Sequence, residues 1–277
     1  MLRYNPRVIK EKASIVAVFT LTILMFLPLA HIIFTILSRG LPVIMKGGLK
    51  FLTGTLDEGG IGPAIIGTGL LIVVSSLIGL PVAFIVGVYS YEYPNSVLGK
   101  ATRALLQIMM EFPTILVGVF VMGILVIPMK SYSALAGGLA LAIILMPYVA
   151  IYTQESLRQI PFTYREAAFS LGLPKWKVIL RILVPLARKG ILTGVLIGIS
   201  KVAGETAPLL FTIGGMYQTY PQGITKPVGA LPLLIYTLIQ SPAKEHHEIA
   251  WGASAVLLLI FLALFLPIRL SLKEVKI

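Results

Sequence analysis

Residues 133–153 read SALAGGLALAIILMPYVAIYT and contain no charged side chain. An α-helix needs about 20 predominantly apolar residues to cross the ~30 Å hydrocarbon core of a bilayer. The stretch is therefore long enough and apolar enough to span a membrane. We predict a transmembrane helix from Ser133 to Thr153.

The composition of the whole chain is that of a membrane protein. Of its 277 residues, 57% are hydrophobic and only 12% are charged, and the mean hydropathy is +0.94. Soluble domains carry about 25% charged residues. We predict an all-α membrane protein without a separate soluble domain and with six transmembrane helices: Ser14–Leu37, Ala64–Val88, Phe112–Pro128, Ser133–Thr153, Gly190–Ile213 and Ile249–Leu270.

The formal net charge of +12 has two contrasting explanations. In a soluble protein it would indicate nucleic acid as the partner, whereas membrane proteins concentrate Lys and Arg in their cytoplasmic loops. The basic residues that share a side with the two termini outnumber those on the other side. We therefore predict a multi-pass protein of the cytoplasmic membrane with both termini in the cytoplasm, in contact with lipid and not with nucleic acid. The absence of cysteine excludes disulfides, thiol nucleophiles and thiolate metal sites.

Two long connections fall on the predicted outer side, at residues 38–63 and 214–248. The first is rich in glycine, and the second contains VGALPLLIYTLIQ, residues 228–240. This run is apolar but too short to span a bilayer. We expect it to lie at the outer surface or to dip into the membrane without crossing it.

The predicted cytoplasmic connection between spans four and five contains REAAFSLGLPKWKVILRILVP, residues 165–185. Glu166 to Leu171 predict a short helix, which Gly172 can end with a left-handed cap. Pro174 cannot continue that helix but can begin the next one. The sequence therefore predicts a short helix, a sharp bend and a second helix that returns to the bilayer. Taken by itself, the segment could equally be a basic strip that rests on anionic headgroups.

The order Glu-Ala-Ala, then Gly172, then Val184-Pro185 resembles the EAA loop of ABC importer permeases. The resemblance implies a type I permease architecture, in which this loop forms the coupling helix that docks on a separate ATPase subunit. It assigns the coupling loop to Arg165, Glu166, Ala167, Ala168, Gly172, Pro174 and Pro185. The chain has no Gly-x-x-x-x-Gly-Lys-Ser/Thr phosphate cradle. We therefore expect a non-catalytic subunit without bound cofactors, whose partner ATPase holds ATP and Mg.

Two opposite charges interrupt the fifth predicted span in KVAGETAP, residues 201–208. A charge at the bilayer centre costs about 2.5–3.5 kcal/mol on insertion scales, so it usually faces a cavity or a partner. Lys201 and Glu205 lie one helical turn apart. They either neutralise each other as a structural pair or form a site where Lys201 attracts an anion and Glu205 competes for the ammonium. Pro208 should loosen the helix beside Glu205.

Four stretches together resemble the PstA-type permeases of phosphate ABC importers: GGIGPAIIGT (59–68), REAAFSLG (165–172), GETAPLLFT (204–212) and ALPLLIY (230–236). The resemblance implies import of inorganic phosphate by alternating access, along a pathway that includes Lys201, Gly204, Glu205 and Thr206. That family typically has arginine where this chain has Lys201, and lysine lacks the bidentate fork that suits phosphate. The implied partners are a homologous second permease, an ATPase dimer and an extracytoplasmic phosphate-binding protein.

The resemblance covers most of residues 59–260 and is weak before them. We therefore divide the chain into an N-terminal part with the first span and outer loop (1–58), a core permease domain (59–270) and a cytoplasmic tail (271–277). Within the core, Gly194-x-x-x-Gly198 is a spacing that permits close helix contact. We expect it to face the second permease.

Three alternatives remain open. The permease could move another oxyanion, such as molybdate or sulfate. A stand-alone anion channel or carrier would need no coupling loop, and many carriers contain two inverted halves that are not recognisable in this sequence. A membrane-embedded hydrolase would have as candidates His31 and the cluster KEHHE, residues 244–248, which lacks the His-Glu-x-x-His spacing of zinc sites. We predict no metal site.

Overall fold

The computed structural model describes residues 6–271, without the side chains of residues 6–10, 13, 264 and 267–271. All but the first residue of the predicted tail 271–277 therefore lies outside the described part. The chain folds into helices joined by turns and loops: α1 (Pro6–Thr53), α2 (Gly62–Glu92), α3 (Val97–Glu111), α4 (Thr114–Met129), α5 (Ala134–Arg158), α6 (Phe162–Ser170), α7 (Lys175–Ala203), α8 (Leu231–Ile239) and α9 (Lys244–Ser271). Short 3-10 turns lie at Leu56–Glu58 and Leu209–Phe211.

The helices confirm the all-α membrane fold. Among residues 6–271, α1, α2, α5, α7 and α9 each contain a stretch long and apolar enough to cross a membrane, and α3 with α4 makes a sixth span if the two count as one. The two halves of that sixth span meet at an angle of 102°. The bend falls at Phe112, whose backbone is extended because the α conformation is disfavoured before Pro113.

Helix α3 occupies a connection for which we predicted no helix. The hydroxyl of Ser96 caps its start and accepts a hydrogen bond from the Gly99 amide at 2.9 Å. Lys100 and Arg103 interrupt its apolar residues, so the helix has no continuous apolar run. A search for membrane-spanning stretches therefore does not find it.

Helix α1 is longer than the predicted first span and includes much of the predicted outer loop. The span was expected to end at Leu37, but α1 continues to Thr53. The glycines of this region suggested a loop, and one of them, Gly48, kinks α1 into two helical parts through its non-helical dihedral angles of φ 55° and ψ −140°. Residues 14–34 are exposed along their length, whereas the later part packs on α9, where a Cβ on Gly40 would lie 2.4 Å from the carbonyl oxygen of Trp251.

The centre of the fold is the pairing of α2 with α5, in which glycines let the two helices approach closely. A Cβ on Gly138 would lie 2.3 Å from Cγ1 of Val74. A Cβ on Gly87 would lie 2.6 Å from the carbonyl oxygen of Ala150. Small residues at such contacts allow extensive van der Waals packing between helices in a membrane.

The Gly194-x-x-x-Gly198 spacing lies against the chain's own α5, so its assignment to the second permease is wrong. A Cβ on Gly194 would lie 2.3 Å from Cβ of Tyr152, and one on Gly198 would lie 3.0 Å from Cγ2 of Val149. The spacing indicates that some helix approaches closely, but it does not identify that helix.

The apolar run at residues 228–240 forms α8, which is too short to cross a bilayer. Its first amide, that of Leu231, donates a hydrogen bond to the hydroxyl of Thr68 on α2 at 2.8 Å. The first amides of a helix have no partner within the helix. Thr68 therefore supplies a cap for α8 and fixes it to the start of α2.

Candidate functional site

Helices α6 and α7 form the helix, bend and helix that the segment 165–185 predicts. Gly172 adopts a left-handed backbone with φ of 73°, and its amide donates to the carbonyl of Phe169 at 2.9 Å. Pro174 stands immediately before α7. The chain thus reverses direction sharply between the short helix and the long one.

Pro185 lies inside α7 and does not end it. The preceding residues Ile179–Leu183 form a π turn, which is wider than an α turn. Pro185 has no N–H to offer the carbonyl of Arg181, and its ring would crowd that carbonyl in a regular helix. The wider turn removes this conflict, and α4 repeats the arrangement with a π turn at Met122–Val126 ahead of Pro128.

Helix α6 has one buried face and one exposed face. Ala168 is buried in an apolar cluster with Leu157, Val178, Leu183 and Ala187. Glu166 and Ala167 are exposed. The helix therefore rests on its own chain through Ala168 and presents a carboxylate and a small side chain to any surface that docks on it.

Arg165 fastens α6 to the end of α2 through a residue that sequence reasoning missed. Its guanidinium donates two hydrogen bonds to the carboxylate of Glu92, at 2.9 Å and 2.6 Å. The ammonium of Lys175, the first residue of α7, lies 3.0 Å from the same carboxylate. Only 2% of the Glu92 side chain is exposed. The hydrogen bonds to Glu92 raise the pKa of Arg165 above its ordinary value.

Aromatic rings surround this ion cluster. Arg165 lies 5.7 Å from the ring centre of Phe169 and 5.9 Å from that of Tyr91, and Lys175 lies 4.1 Å from that of Tyr93. Such contacts stabilise cations, more so where water is excluded. The available signal in the sequence was the lone carboxylate in YSYEY, residues 89–93, at the end of the second span.

At the opposite end of α7, Lys201 and Glu205 form an ion pair. The Lys201 ammonium lies 2.8 Å from a carboxylate oxygen of Glu205. Of the two side chains, Glu205 is 9% exposed and Lys201 is 43% exposed. The buried carboxylate thus has its charge matched, while part of the lysine remains open to a cleft.

That cleft has a volume of about 130 Å³ and lies where α3, α4, α5 and α7 meet. Tyr148 and Thr114 contribute polar groups to its lining beside Lys201, and the remaining lining is largely apolar: Met109, Met110, Phe112, Val117, Ile143 and Ile144. A cation in an apolar surrounding interacts strongly with an anion because little water screens the charge. The arrangement can attract an anion to the end of α7.

The fifth span ends earlier than predicted, and the ending explains the geometry of the pair. We expected helix to Ile213, but α7 ends at Ala203 with Gly204 as its C-terminal cap. Pro208 cannot donate to the Gly204 carbonyl and its ring would crowd that carbonyl, so the chain after Gly204 does not resume the helix. Gly204 is exposed, and Thr206 accepts hydrogen bonds at its backbone carbonyl from the amides of Leu209 and Leu210.

Similar sequences are permeases. Residues 79–273 match the family model described as "binding-protein-dependent transport system inner membrane component". The chain is 60% identical to the probable phosphate transport system permease protein PstA of Methanocaldococcus jannaschii, over 97% of this chain and 95% of that protein. It is 37% identical to the phosphate transport system permease protein PstA of Pasteurella multocida, over 94% of each chain.

A solved structure shares the fold. A chain of the MetNI methionine ABC transporter, in an inward-facing conformation, superposes with a TM-score of 0.57. The match covers 76% of this chain and 93% of that chain at 18% sequence identity. At this identity the likeness establishes the architecture and leaves the transported molecule open.

Proposed function

The chain belongs to the family of binding-protein-dependent transport system inner membrane components, and from this premise we propose that it is the permease subunit of an ATP-driven importer of inorganic phosphate. The observation that carries the proposal is the 60% identity, over nearly the whole length, to a protein named as a phosphate transport permease. The helices, the coupling segment and the Lys201 cleft lie within the part of the chain that this identity covers.

The orientation follows from the positive-inside rule. We place the termini and α6 on the cytoplasmic side, because the basic residues at the α6–α7 end outnumber those at the α8 end. In this orientation the exposed Glu166 and Ala167 face the cytoplasm, where an ATPase subunit would dock. ATP and Mg belong to that subunit, and this chain binds no cofactor.

The assembly needs three kinds of partner. Residues 14–34 of α1 expose apolar side chains that lipid or a homologous second permease would cover. A pair of ATPase subunits would bind at the α6 helices of the two permeases. An extracytoplasmic phosphate-binding protein would dock on the opposite side, near residues 38–63 and 214–248.

In the transport step, Lys201 supplies the positive charge on the pathway and Glu205 supplies a competing negative charge. Phosphate that reaches the cleft would interact with the Lys201 ammonium in place of, or in addition to, the Glu205 carboxylate. When phosphate is absent, the Glu205 carboxylate pairs with the Lys201 ammonium and neutralises its charge. A pathway must bind its ion weakly enough to release it, and this competition keeps the affinity low.

The test is uptake of labelled phosphate into proteoliposomes that contain this chain with its candidate second permease, ATPase and binding protein. We expect uptake that requires ATP, the binding protein and the ATPase. Sulfate and molybdate are measured in parallel, and uptake of either in place of phosphate would reassign the substrate. Phosphate flux through this chain without the ATPase would indicate a stand-alone channel or carrier and would contradict the proposal.

A further inference from the structure

The end of α2 and the coupling segment are joined by one buried carboxylate, that of Glu92. Three contacts from two cations meet on it: two hydrogen bonds from Arg165 on α6 and one ion-pair contact from Lys175 on α7. A bidentate contact between guanidinium and carboxylate fixes both distance and orientation. The short helix is therefore held at a defined angle to α2.

We propose that Glu92 is the positioning residue through which movement of α6 is delivered to the membrane helices, with α2 as the first helix to move. The proposal rests on the proposed function, because it concerns how an ATPase docked on α6 acts on the pathway. It differs from a route through α7 alone, which the continuity of the chain from α6 to α7 would suggest.

The packing of α2 supports this route. Glu92 is its last residue, and along the rest of its length α2 lies against α5 at the glycine contacts of Gly79 and Gly87. Close-packed interiors transmit displacement because they contain little free space. Helix α5 carries Tyr148, which lines the cleft beside Lys201. A displacement of Glu92 thus has a continuous packed route to the candidate anion site.

The ion cluster around Glu92 should also stay intact when α6 is pulled away from α2. Removing one partner of a buried ion pair leaves an uncompensated charge, which is strongly unfavourable. Here the loss of Glu92 would leave Arg165 and Lys175 facing each other without the carboxylate between them. The cluster therefore resists separation of α6 from α2 more than an exposed ion pair would.

A purely structural contact would have different consequences. If Glu92 only stabilised the fold, its replacement would reduce the amount of assembled transporter without changing the phosphate moved per ATP. If Glu92 transmits movement, assembled transporter would still hydrolyse ATP and would move less phosphate for each ATP consumed.

The test variant is Glu92→Gln, which removes the charge and keeps the size. The matched control is Glu155→Gln, which removes an exposed carboxylate near the C-terminal end of α5. Glu155 lies 3.8 Å from Arg158 and both side chains are largely exposed, so its loss should have little effect. Phosphate uptake and ATP hydrolysis are measured in the same proteoliposomes. For Glu92→Gln we expect phosphate per ATP to fall about tenfold, with Glu92→Asp partly restoring it.

A second measurement does not depend on phosphate. The sequence contains no cysteine. Spin labels can therefore be attached at two exposed positions alone, through Ser170→Cys on α6 and Leu77→Cys on α2. In the complex with the ATPase, we expect one distance between the labels with and without bound ATP, because the two helices move together. With Glu92→Gln added, that distance should change or broaden when ATP binds.

The outcomes separate the two proposals. A normal ratio of phosphate to ATP in Glu92→Gln would overturn the role of Glu92, as would a label distance that changes with ATP in the parent. If the parent moves no phosphate but its label distance depends on Glu92 as described, the substrate is wrong and the positioning role holds. If Glu92→Gln does not fold, Arg165→Lys, which keeps the charge and loses the bidentate contact, replaces it in both measurements with the same expected results.

Discussion

Gly118 of α4 lies directly against Pro208, so close that a Cβ on the glycine would stand 2.6 Å from the proline Cα. This contact places the bent third span beside the turn that carries Glu205. The segment after α7 is thus supported by α4 on one side, and the Lys201 cleft lies next to that support.

We expect Gly118→Ala to destabilise the protein by about 1–3 kcal/mol, because the added methyl must displace backbone on α4 or on Pro208. The measurement is thermal unfolding in detergent, followed by phosphate uptake. Gly123→Ala on the same helix is the control, since a Cβ there meets nothing within 4 Å. Equal unfolding temperatures for the two variants would contradict the close contact.

The ion pair at the end of α7 gives a second prediction. Lys201→Ala should reduce phosphate uptake by about tenfold or more, equivalent to ~1.4 kcal/mol or more, because the cation of the cleft is lost while Glu205 remains buried. Lys201→Arg should retain uptake, since guanidinium keeps the charge and can bind phosphate with two hydrogen bonds. Initial rates in proteoliposomes test both.

Glu205→Gln separates the transport role of the pair from a structural one. If Glu205 competes with the anion for Lys201, this variant should lower the phosphate concentration needed for half-maximal uptake or slow release. If the pair only stabilises the turn, Lys201→Ala and Glu205→Gln should both leave transport per assembled complex unchanged. That result would move the anion pathway elsewhere.

The cap between α2 and α8 gives a third prediction. Thr68→Val should cost about 1–3 kcal/mol, because the buried Leu231 amide loses its acceptor. Thr22→Val is the matched control, since the Thr22 hydroxyl donates to the carbonyl of Val18 on its own helix and is exposed. The measurement is the unfolding temperature of each variant, which should be lower for Thr68→Val than for Thr22→Val. A Thr68→Val protein as stable as the control would contradict the capping role.

The π turn of α7 gives a fourth prediction. Pro185→Ala restores an N–H at this position, so the wide turn at Ile179–Leu183 is no longer required. We expect α7 to become regular there, which rotates its first turn relative to the rest and pulls Lys175 from Glu92. Loss of uptake with stability maintained would agree with this expectation.

The control for that variant is Pro147→Ala, since Pro147 lies inside α5 without a π turn in its helix. Spin labels placed at either end of α7 would report the rotation directly. An unchanged label distance together with unchanged uptake would show that the π turn does not depend on Pro185.

Much of the fold could be predicted because its signals are local. Continuous apolar runs predict where α2, α5 and α9 lie, and Gly172 with Pro174 predicts the bend before α7. The predicted end of the first span was wrong because Gly40 and Pro42 lie within helix where α1 packs on α9, and the helix is interrupted only later, at the kink of Gly48. Helix α3 was missed because its charged residues conceal it from a search for uniformly apolar stretches.

The candidate site was predictable only where charge and sequence spacing coincide. Lys201 and Glu205 stand out as charges in an apolar run, and the structure brings them to 2.8 Å. Glu92 does not stand out, because its role depends on contact with Arg165. That residue is far along the chain and comes near Glu92 only in the folded structure. The partner of the Gly194 contact was unpredictable for the same reason.

Helix α7 runs from Lys175 through the π turn at Ile179–Leu183 to Lys201, and each lysine is paired with a different carboxylate. The two lysines thus lie on one helix, and their positions are about 39 Å apart along its axis at ~1.5 Å per residue. Rotation of α7 as one body therefore moves both ammonium groups together. A rotation of the whole of α7 that withdraws Lys201 from Glu205 also changes the contact of Lys175 with Glu92, so this one helix couples the anion site at one end of the permease to the ion cluster at the other.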